Sequence, residues 1–246
     1  MSRIEGKSAL VTGANRGIGK AFVEELLAAG ADRIYAAARN PDSLADVVEN
    51  GRGRVVPIAL DVTDAGAIKD AASLHSDVSL LINNAGIAAF EGLIDASSVD
   101  AARAEIETNY FGTLNMIRAF APVLSSNGGG AIVNLSSIAA HVNFPVPRSY
   151  SASKAAVHSL TQGARAKLAA QNTLVVGVYP GPVDTTMAES FPMEKTSPNV
   201  VAQAVLTGIE EGQEDVYPDP VSVEMHTGLL GDPKAVEKQA GEMLPA

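Results

Sequence analysis

The sequence predicts an α/β protein: a doubly wound parallel sheet of about seven strands with helices on both faces. Three observations carry that expectation. Short apolar runs alternate along the chain with longer stretches of helical periodicity, the order expected of βαβ units. Several apolar runs show no polar alternation, as strands do when helices cover both faces of a parallel sheet. Hydrophobic residues make up 46% of 246, enough for a substantial core, so general disorder is excluded.

The elements follow in order. Ser8–Val11 reads as a buried strand, and Ile18–Ala29 as a helix with Ile18, Phe22 and Leu26 at a spacing of four. Gly30 closes that helix as a C-cap. Further strands are expected at Ile34–Ala38, Val55–Leu60, Leu80–Ile82, Ala131–Leu135 and Leu174–Val178, with a weaker one near Val216. Helices are expected at Ser43–Glu49, Ala65–Leu74, Ser98–Leu124, Ser149–Ala170 and Asn199–Glu211. Asp232-Pro233 provides an N-cap followed by Pro at the first helical position, so a short terminal helix is expected there. The loop from Ser125 to Gly130 is too short to separate domains. One domain spanning residues 1–246 is the expectation.

Composition narrows the chemistry. With no cysteine there is no disulfide, thiolate metal site or cysteine nucleophile. The formal charge of −10 argues against a nucleic-acid partner, whose phosphates this surface would repel. No apolar run reaches 18 residues and the N-terminus does not read as a signal peptide, so a soluble, cytoplasmic protein with no membrane partner is expected. From Val201 onward nine carboxylates face only Lys234 and Lys238. The segment from about residue 212 is therefore unusually acidic, and reads as a solvated face rather than an interaction surface. His75, His158 and His226 have no metal-ligand spacing, and no metal site is expected.

After the first strand, Thr12-Gly13-Ala14-Asn15-Arg16-Gly17-Ile18-Gly19 leads straight into a helix. Gly13 permits a sharp turn, Gly17 lets backbone approach a pyrophosphate, and Gly19 allows close packing of helix on strand. The helix N-terminus adds free N–H groups and a positive dipole end for phosphate. The spacing Gly-x-x-x-Gly-x-Gly behind Thr12 resembles the turn of the short-chain dehydrogenase/reductase family. That resemblance implies a single Rossmann-like domain, with Gly13, Asn15, Arg16, Gly17, Ile18 and Gly19 cradling a nicotinamide dinucleotide.

The end of the second strand bears on which cofactor. An acid there would bind the ribose 2′-hydroxyl, whereas a cation accommodates a 2′-phosphate. Ala38 stands where NAD-preferring family members usually place Asp, and Arg39 follows it. Arg16 is a second cation within the turn. The expectation is NADP(H). Asp61-Val62 resembles the family's adenine-contacting pair, and Asn83-Asn84-Ala85-Gly86 its Asn-Asn-Ala-Gly element, with Asn84, Ala85 and Gly86 at the cofactor's edge. The latter element also reads as a turn with Asn in local hydrogen bonds.

Tyr150 and Lys154 share one face at the start of a helix. A nearby ammonium stabilises a phenolate, so Tyr150 could exchange a proton with an alcohol or ketone nearer neutral pH. Tyr150-Ser151-Ala152-Ser153-Lys154 closely resembles the family's Tyr-x-Ala-Ser-Lys signature. The family also places a serine 13 residues before the tyrosine. That position is Ser137, preferred over its neighbour Ser136. The resemblance assigns Asn109, in Thr108-Asn109-Tyr110, to a water-linked relay with the lysine. An Asn inside an otherwise apolar helix also needs a partner. Tyr179-Pro180-Gly181-Pro182-Val183-Asp184-Thr185 resembles the segment that holds the nicotinamide amide, with Pro180, Gly181, Val183 and Thr185 as contacts.

The resemblance, over residues 7 to about 187, implies an NADP(H)-dependent oxidoreductase of carbonyl reductase or alcohol dehydrogenase type. Such an enzyme interconverts a ketone or aldehyde and its alcohol by hydride transfer, with tyrosine as acid/base. A catalytically silent NADP-binding regulator of the same fold is the alternative, and would be marked by loss of Tyr150 or Lys154. Halohydrin dehalogenation would lack the glycine turn and replace the lysine by arginine. Ala88, Val142, Phe144, Val146 and Pro147, with Phe191, Pro192 and Met193 from a short lid, suggest an apolar pocket for a small-molecule carbonyl, and His141 is a candidate lining residue. Pro218 and Pro220 argue against a freely paired edge strand. A dimer through the helices Ser98–Leu124 and Ser149–Ala170 is therefore expected in preference to a tetramer.

Overall fold

Residues 3–91, 93–145 and 148–242 of the chain are described by a computed structural model. Among them, β1 (Ser8–Thr12), β2 (Arg33–Ala38), β3 (Val55–Ala59), β4 (Val78–Asn83), β5 (Gly130–Leu135), β6 (Thr173–Val178) and β7 (Asp215–Val216) form one sheet. Every pairing is parallel, in the order β3-β2-β1-β4-β5-β6-β7. The order reverses between β1 and β4. In such sheets ligands bind in the crevice beyond the carboxyl ends of the strands at that switch point.

The helices are α1 (Gly17–Ala28), α2 (Ala45–Asn50), α3 (Ala65–Leu74), α4 (Asp100–Glu105), α5 (Gly112–Ser126), α6 (Ser149–Leu168), α7 (Pro198–Glu211), α8 (Pro220–Gly231) and α9 (Pro233–Gly241). Strand side chains alternate between faces, and the core divides accordingly. On one face Phe22 and Leu26 of α1, with Val205 and Ile209 of α7, pack on Val11, Ile34 and Val176. On the other, Ile68 of α3, Met116 and Phe120 of α5 and Leu168 of α6 pack on Leu10, Leu81 and Ile132. Burying each such side chain is worth about 1.5–3 kcal/mol. The near-continuous apolar strands thus reflect a sheet covered on both sides.

The structure departs from the sequence-based expectations in two places. The stretch expected as one helix over Ser98–Leu124 runs from Asp100 to Ser126, but a π-helical turn at Ile106–Phe111 interrupts it. Such a turn inserts residues into the hydrogen-bond ladder and frequently marks a functional site; here it holds Asn109. Secondly, α8 was not expected. Asp219 accepts from the Ser222 N–H at 2.9 Å and Pro220 occupies the first helical position, the same signal that announced α9 at Asp232-Pro233. The prolines that stop β7 also start a helix. Among its described residues the acidic segment is partly structural. Asp215 accepts from Arg165 at 2.9 Å, and Glu210 accepts from the Arg3 N–H at 3.0 Å.

Candidate active site

A cavity of about 800 Å³ opens at the carboxyl ends of the central strands. The glycine turn forms one end. Gly13 and Gly17 lie in the left-handed region at φ 64° and 52°, where a side chain would be strained. A Cβ on Gly19 would sit 2.0 Å from the Gly13 carbonyl oxygen, so only glycine allows α1 to approach β1 this closely. No side chain caps the α1 N-terminus, which leaves its first N–H groups available to an anion. Gly13, Asn15, Arg16, Gly17 and Ile18 all line the cavity.

Thr12 and Asn84 weld this turn to the end of β4. The Thr12 hydroxyl accepts from the N–H groups of Asn84 and Ala85, both at 3.0 Å, and donates to the Ile82 carbonyl. The Asn84 amide donates to the carbonyls of Thr12 and Gly13 at 2.9 and 3.2 Å. Asn84 therefore acts in local hydrogen bonds while it, Ala85 and Gly86 line the cavity. A Cβ on Gly86 would lie 3.1 Å from Asn109 Oδ1 and 3.4 Å from Lys154 Nζ, so the turn packs closely on both side chains.

Ala38, Arg39, Asn40 and Ser43 line the far end together with Arg16. Both guanidinium-bearing residues are exposed, so their charge faces a region that carries no acid at residue 38. Asp61 and Val62 also line the wall. The Asp61 carboxyl is held below its usual range by hydrogen bonds from the Thr63 N–H and hydroxyl, with Arg39 a smaller influence. Those bonds, at 2.9 and 2.8 Å, occupy one of its oxygens.

Tyr150, Ser137 and Lys154 meet at the other end. The Ser137 hydroxyl accepts from the Ala139 N–H at 3.1 Å and donates to the Pro180 carbonyl at a long 3.4 Å, a weak bond that a better acceptor can replace. Ser136, by contrast, is buried and donates to the Lys154 carbonyl at 3.0 Å. Lys154 is also buried. Its ammonium donates to the Leu135 carbonyl at 2.7 Å and lies 5.5 Å from the Tyr150 ring centroid. Burial lowers its pKa to about 8.

One expectation needs correction here. The Tyr150 phenol is not lowered: burial holds it above the ordinary tyrosine value, a hydrogen bond with Ser137 pulls it down, and the charge of Glu105 pushes it up. The ammonium is directed at a backbone carbonyl and so does not offset the loss of water. Asn109 is 1% exposed and stands behind the cavity wall. Its amide donates to the Ile87 carbonyl and the Ser153 hydroxyl at 2.9 and 2.8 Å, and its Oδ1 accepts from the Ile87 N–H at 2.8 Å. Its own carbonyl accepts from the Thr113 hydroxyl at 2.7 Å. The partner an apolar helix demanded is thus the backbone of Ile87.

The segment after β6 closes the site. Pro180, Gly181, Val183 and Thr185 line the cavity, and the Gly181 N–H donates to Asp219 at 2.8 Å. Asp219 was missed in the sequence because its partner lies 38 residues away. Above the site, Ala88, Phe90, Phe144, Met187 and Phe191 give an apolar lining. Phe90 and Phe191 meet edge to face at 5.6 Å. Val142 is buried, Met193 is half-exposed, and Pro192 and Met193 are not among the lining residues. Val146 and Pro147 fall outside the described residues. His141 does not line the cavity. Its ring lies 4.6 Å from Tyr179 and 4.7 Å from His158 by centroid, beside Tyr217 and His226, and burial pushes its pKa down to about 4. Among the described residues no helix is long and apolar enough to cross a membrane, and no group of three His, Cys, Asp or Glu could hold a metal ion.

Known proteins resemble this chain over most of its length. The short chain dehydrogenase family model matches residues 7–196. A 3-oxoacyl-[acyl-carrier-protein] reductase of Thermotoga maritima is 35% identical over 77% of this chain and 79% of its own. An NADP-dependent 3-hydroxy acid dehydrogenase of Schizosaccharomyces pombe is 31% identical over 75% of this chain and 74% of its own. Among solved structures, a short chain dehydrogenase from Burkholderia cenocepacia in complex with NADP is 44% identical, with a TM-score of 0.92 and full coverage of both chains.

Proposed function

Because the chain belongs to the short-chain dehydrogenase/reductase family, we propose that it is an NADP(H)-dependent oxidoreductase interconverting a ketone or aldehyde and the corresponding alcohol. One observation carries the reading. A single cavity has Tyr150, Ser137 and Lys154 at one end and a glycine turn flanked by Arg16 and Arg39 at the other.

The residues fit the cofactor. Gly13 and Gly17 leave backbone exposed at positive φ beside the open N-terminus of α1, which suits a pyrophosphate. Arg16 and Arg39, with no acid at residue 38, suit a 2′-phosphate, and the relatives named for NADP support that choice. Held there, the cofactor would supply or accept the hydride exchanged at the carbonyl carbon. In the direction of reduction, the Ser137 hydroxyl exchanges its long bond to Pro180 for one to the substrate oxygen, where negative charge develops. Tyr150 delivers its proton to that oxygen. Lys154, charged below about pH 8, keeps a positive centre beside the phenol that forms the phenolate. Asn109 holds the Ile87 backbone and so the cavity wall; a relay through it is part of this reading. The apolar lining of Phe90, Phe144, Met187 and Phe191 suits an aliphatic or aromatic substrate. The expected assembly is a dimer through α5 and α6, which light scattering on the purified chain measures.

The test is NADPH and NADH consumption against a panel of ketones, aldehydes and quinones, with Tyr150→Phe as control. Turnover with NADPH that disappears in the variant is the expected result. Unchanged turnover in the variant would overturn the mechanism, and a preference for NADH would overturn the roles of the two arginines.

A further inference from the structure

Glu105 is the last residue of α4 and is 0% exposed. Among the described residues no Lys or Arg stands within 4 Å of its carboxylate. A buried carboxylate without a cation is costly unless its oxygens are well bonded. Each oxygen here has one short bond to a different wall of the site. Oε1 accepts from the Ala89 N–H at 2.8 Å, and Oε2 accepts from the Ser149 hydroxyl at 2.6 Å.

Both partners adjoin a strained residue. Ala89 precedes Phe90, which has φ 56°, and Ser149 follows Arg148, which has φ 46°. Neither is glycine, and such strained conformations persist only where the surroundings impose them. The first turn carries the Phe90 ring to its edge-to-face contact with Phe191 over the cavity. The second opens α6 one residue before Tyr150.

We propose that Glu105 is a positioning residue whose carboxylate clamps these two turns together, setting the distance between the Phe90 wall and Tyr150 and so the fit of an aryl-sized carbonyl substrate. The assignment rests on the reading of Tyr150 as proton donor. Its geometric part, the hold on the 88–90 turn, is measurable without turnover.

The test uses the full chain as wild type, Glu105→Leu, Glu105→Gln, Ser149→Ala and Tyr150→Phe, with NADPH and two probe carbonyls, benzaldehyde and acetone. Glu105→Leu places an apolar side chain of similar size in the enclosed site and leaves the Ala89 N–H and the Ser149 hydroxyl without their acceptor. It should lower kcat about 100-fold through misplacement of Tyr150. The KM for benzaldehyde should rise while that for acetone stays level. Amide exchange at Ala89 and Phe90 should quicken about tenfold, as expected when one hydrogen bond is lost. Glu105→Gln keeps an acceptor for Ala89 and a polar partner for Ser149, and should restore all three readouts to within about threefold, less than one hydrogen bond's worth. Ser149→Ala leaves Glu105 Oε2 without its donor and should lower kcat about tenfold with NADPH affinity unchanged. Should Glu105→Leu fail to fold, the Gln and Ala variants decide. Wild-type kinetics and exchange in Glu105→Leu, a Gln variant as impaired as the Leu one, or an unaffected Ser149→Ala would each overturn the proposal. Turnover that survives Tyr150→Phe would instead overturn the catalytic reading, leaving amide exchange to judge Glu105.

Discussion

Replacing Lys154 by Met should stabilise the protein at neutral pH while removing its activity. Lys154 is 4% exposed, and its ammonium donates to the Leu135 carbonyl at 2.7 Å. Burial lowers its pKa from 10.5 to about 8. At about 1.4 kcal/mol per pH unit, the charged form therefore costs the native state about 3 kcal/mol. Below pH 8 the lysine is protonated in both folded and unfolded chains, so that cost is fully present. As pH rises from about 8 towards 10.5, the folded chain loses the proton while the unfolded chain keeps it, and wild-type stability rises. Met removes the charge but leaves the Leu135 carbonyl without this donor, an offset of about 1–3 kcal/mol. Lys154→Met should thus be equal to or more stable than wild type by up to about 2 kcal/mol at pH 7. This difference should fall by about 2–3 kcal/mol on going to pH 10. Urea unfolding of both proteins at several pH values measures it, because titrating groups remote from residue 154 cancel in the comparison. The kcat should drop by about 100-fold or more. A stability difference that stays flat from pH 7 to 10, or a variant that keeps wild-type kcat, would refute the reasoning.

Three further outcomes are expected. Gly19→Ala drives a Cβ to within 2.0 Å of the Gly13 carbonyl and should destabilise the chain by about 1–3 kcal/mol, seen as a lowered melting temperature and lost NADPH fluorescence enhancement. The double change Arg16→Ala with Arg39→Ala should weaken NADPH binding about 100-fold, taking each charged contact as about 1.5 kcal/mol, and leave NADH binding within a few-fold by titration calorimetry. Asp219→Ala removes both the α8 cap and the acceptor for the Gly181 N–H. It should cost about 1–3 kcal/mol in thermal unfolding and raise the KM for NADPH more than it lowers kcat.

Much of the site is legible in the chain because its signals are local. Tyr150 and Lys154 lie one helical turn apart, and the three glycines of the first turn sit within seven residues of one another. The strands that carry Thr12, Asn83, Leu135 and Val178 announce themselves as apolar runs, and the parallel sheet then brings their ends together. The C-terminal third was harder to read. Pro218 and Pro220 register as strand breakers, and only the Asp219 cap reveals that they also begin α8. The loop position of His141 does not reveal its neighbours, which are His158 of α6, Tyr179 just after β6, Tyr217 just after β7 and His226 of α8.

The sequence by itself determined the alternation of strands and helices, the phosphate-binding turn and the Tyr-Lys pair, since each depends on backbone periodicity over a few residues. The tertiary structure alone decided how the charges are buried and what they hold. Glu105 reaches Ser149 across 44 residues, Asp219 reaches Gly181 across 38, and the Lys154 ammonium meets the Leu135 carbonyl across 19. No periodicity encodes those pairs. They exist because packing removes water from a few polar atoms, which must then find each other.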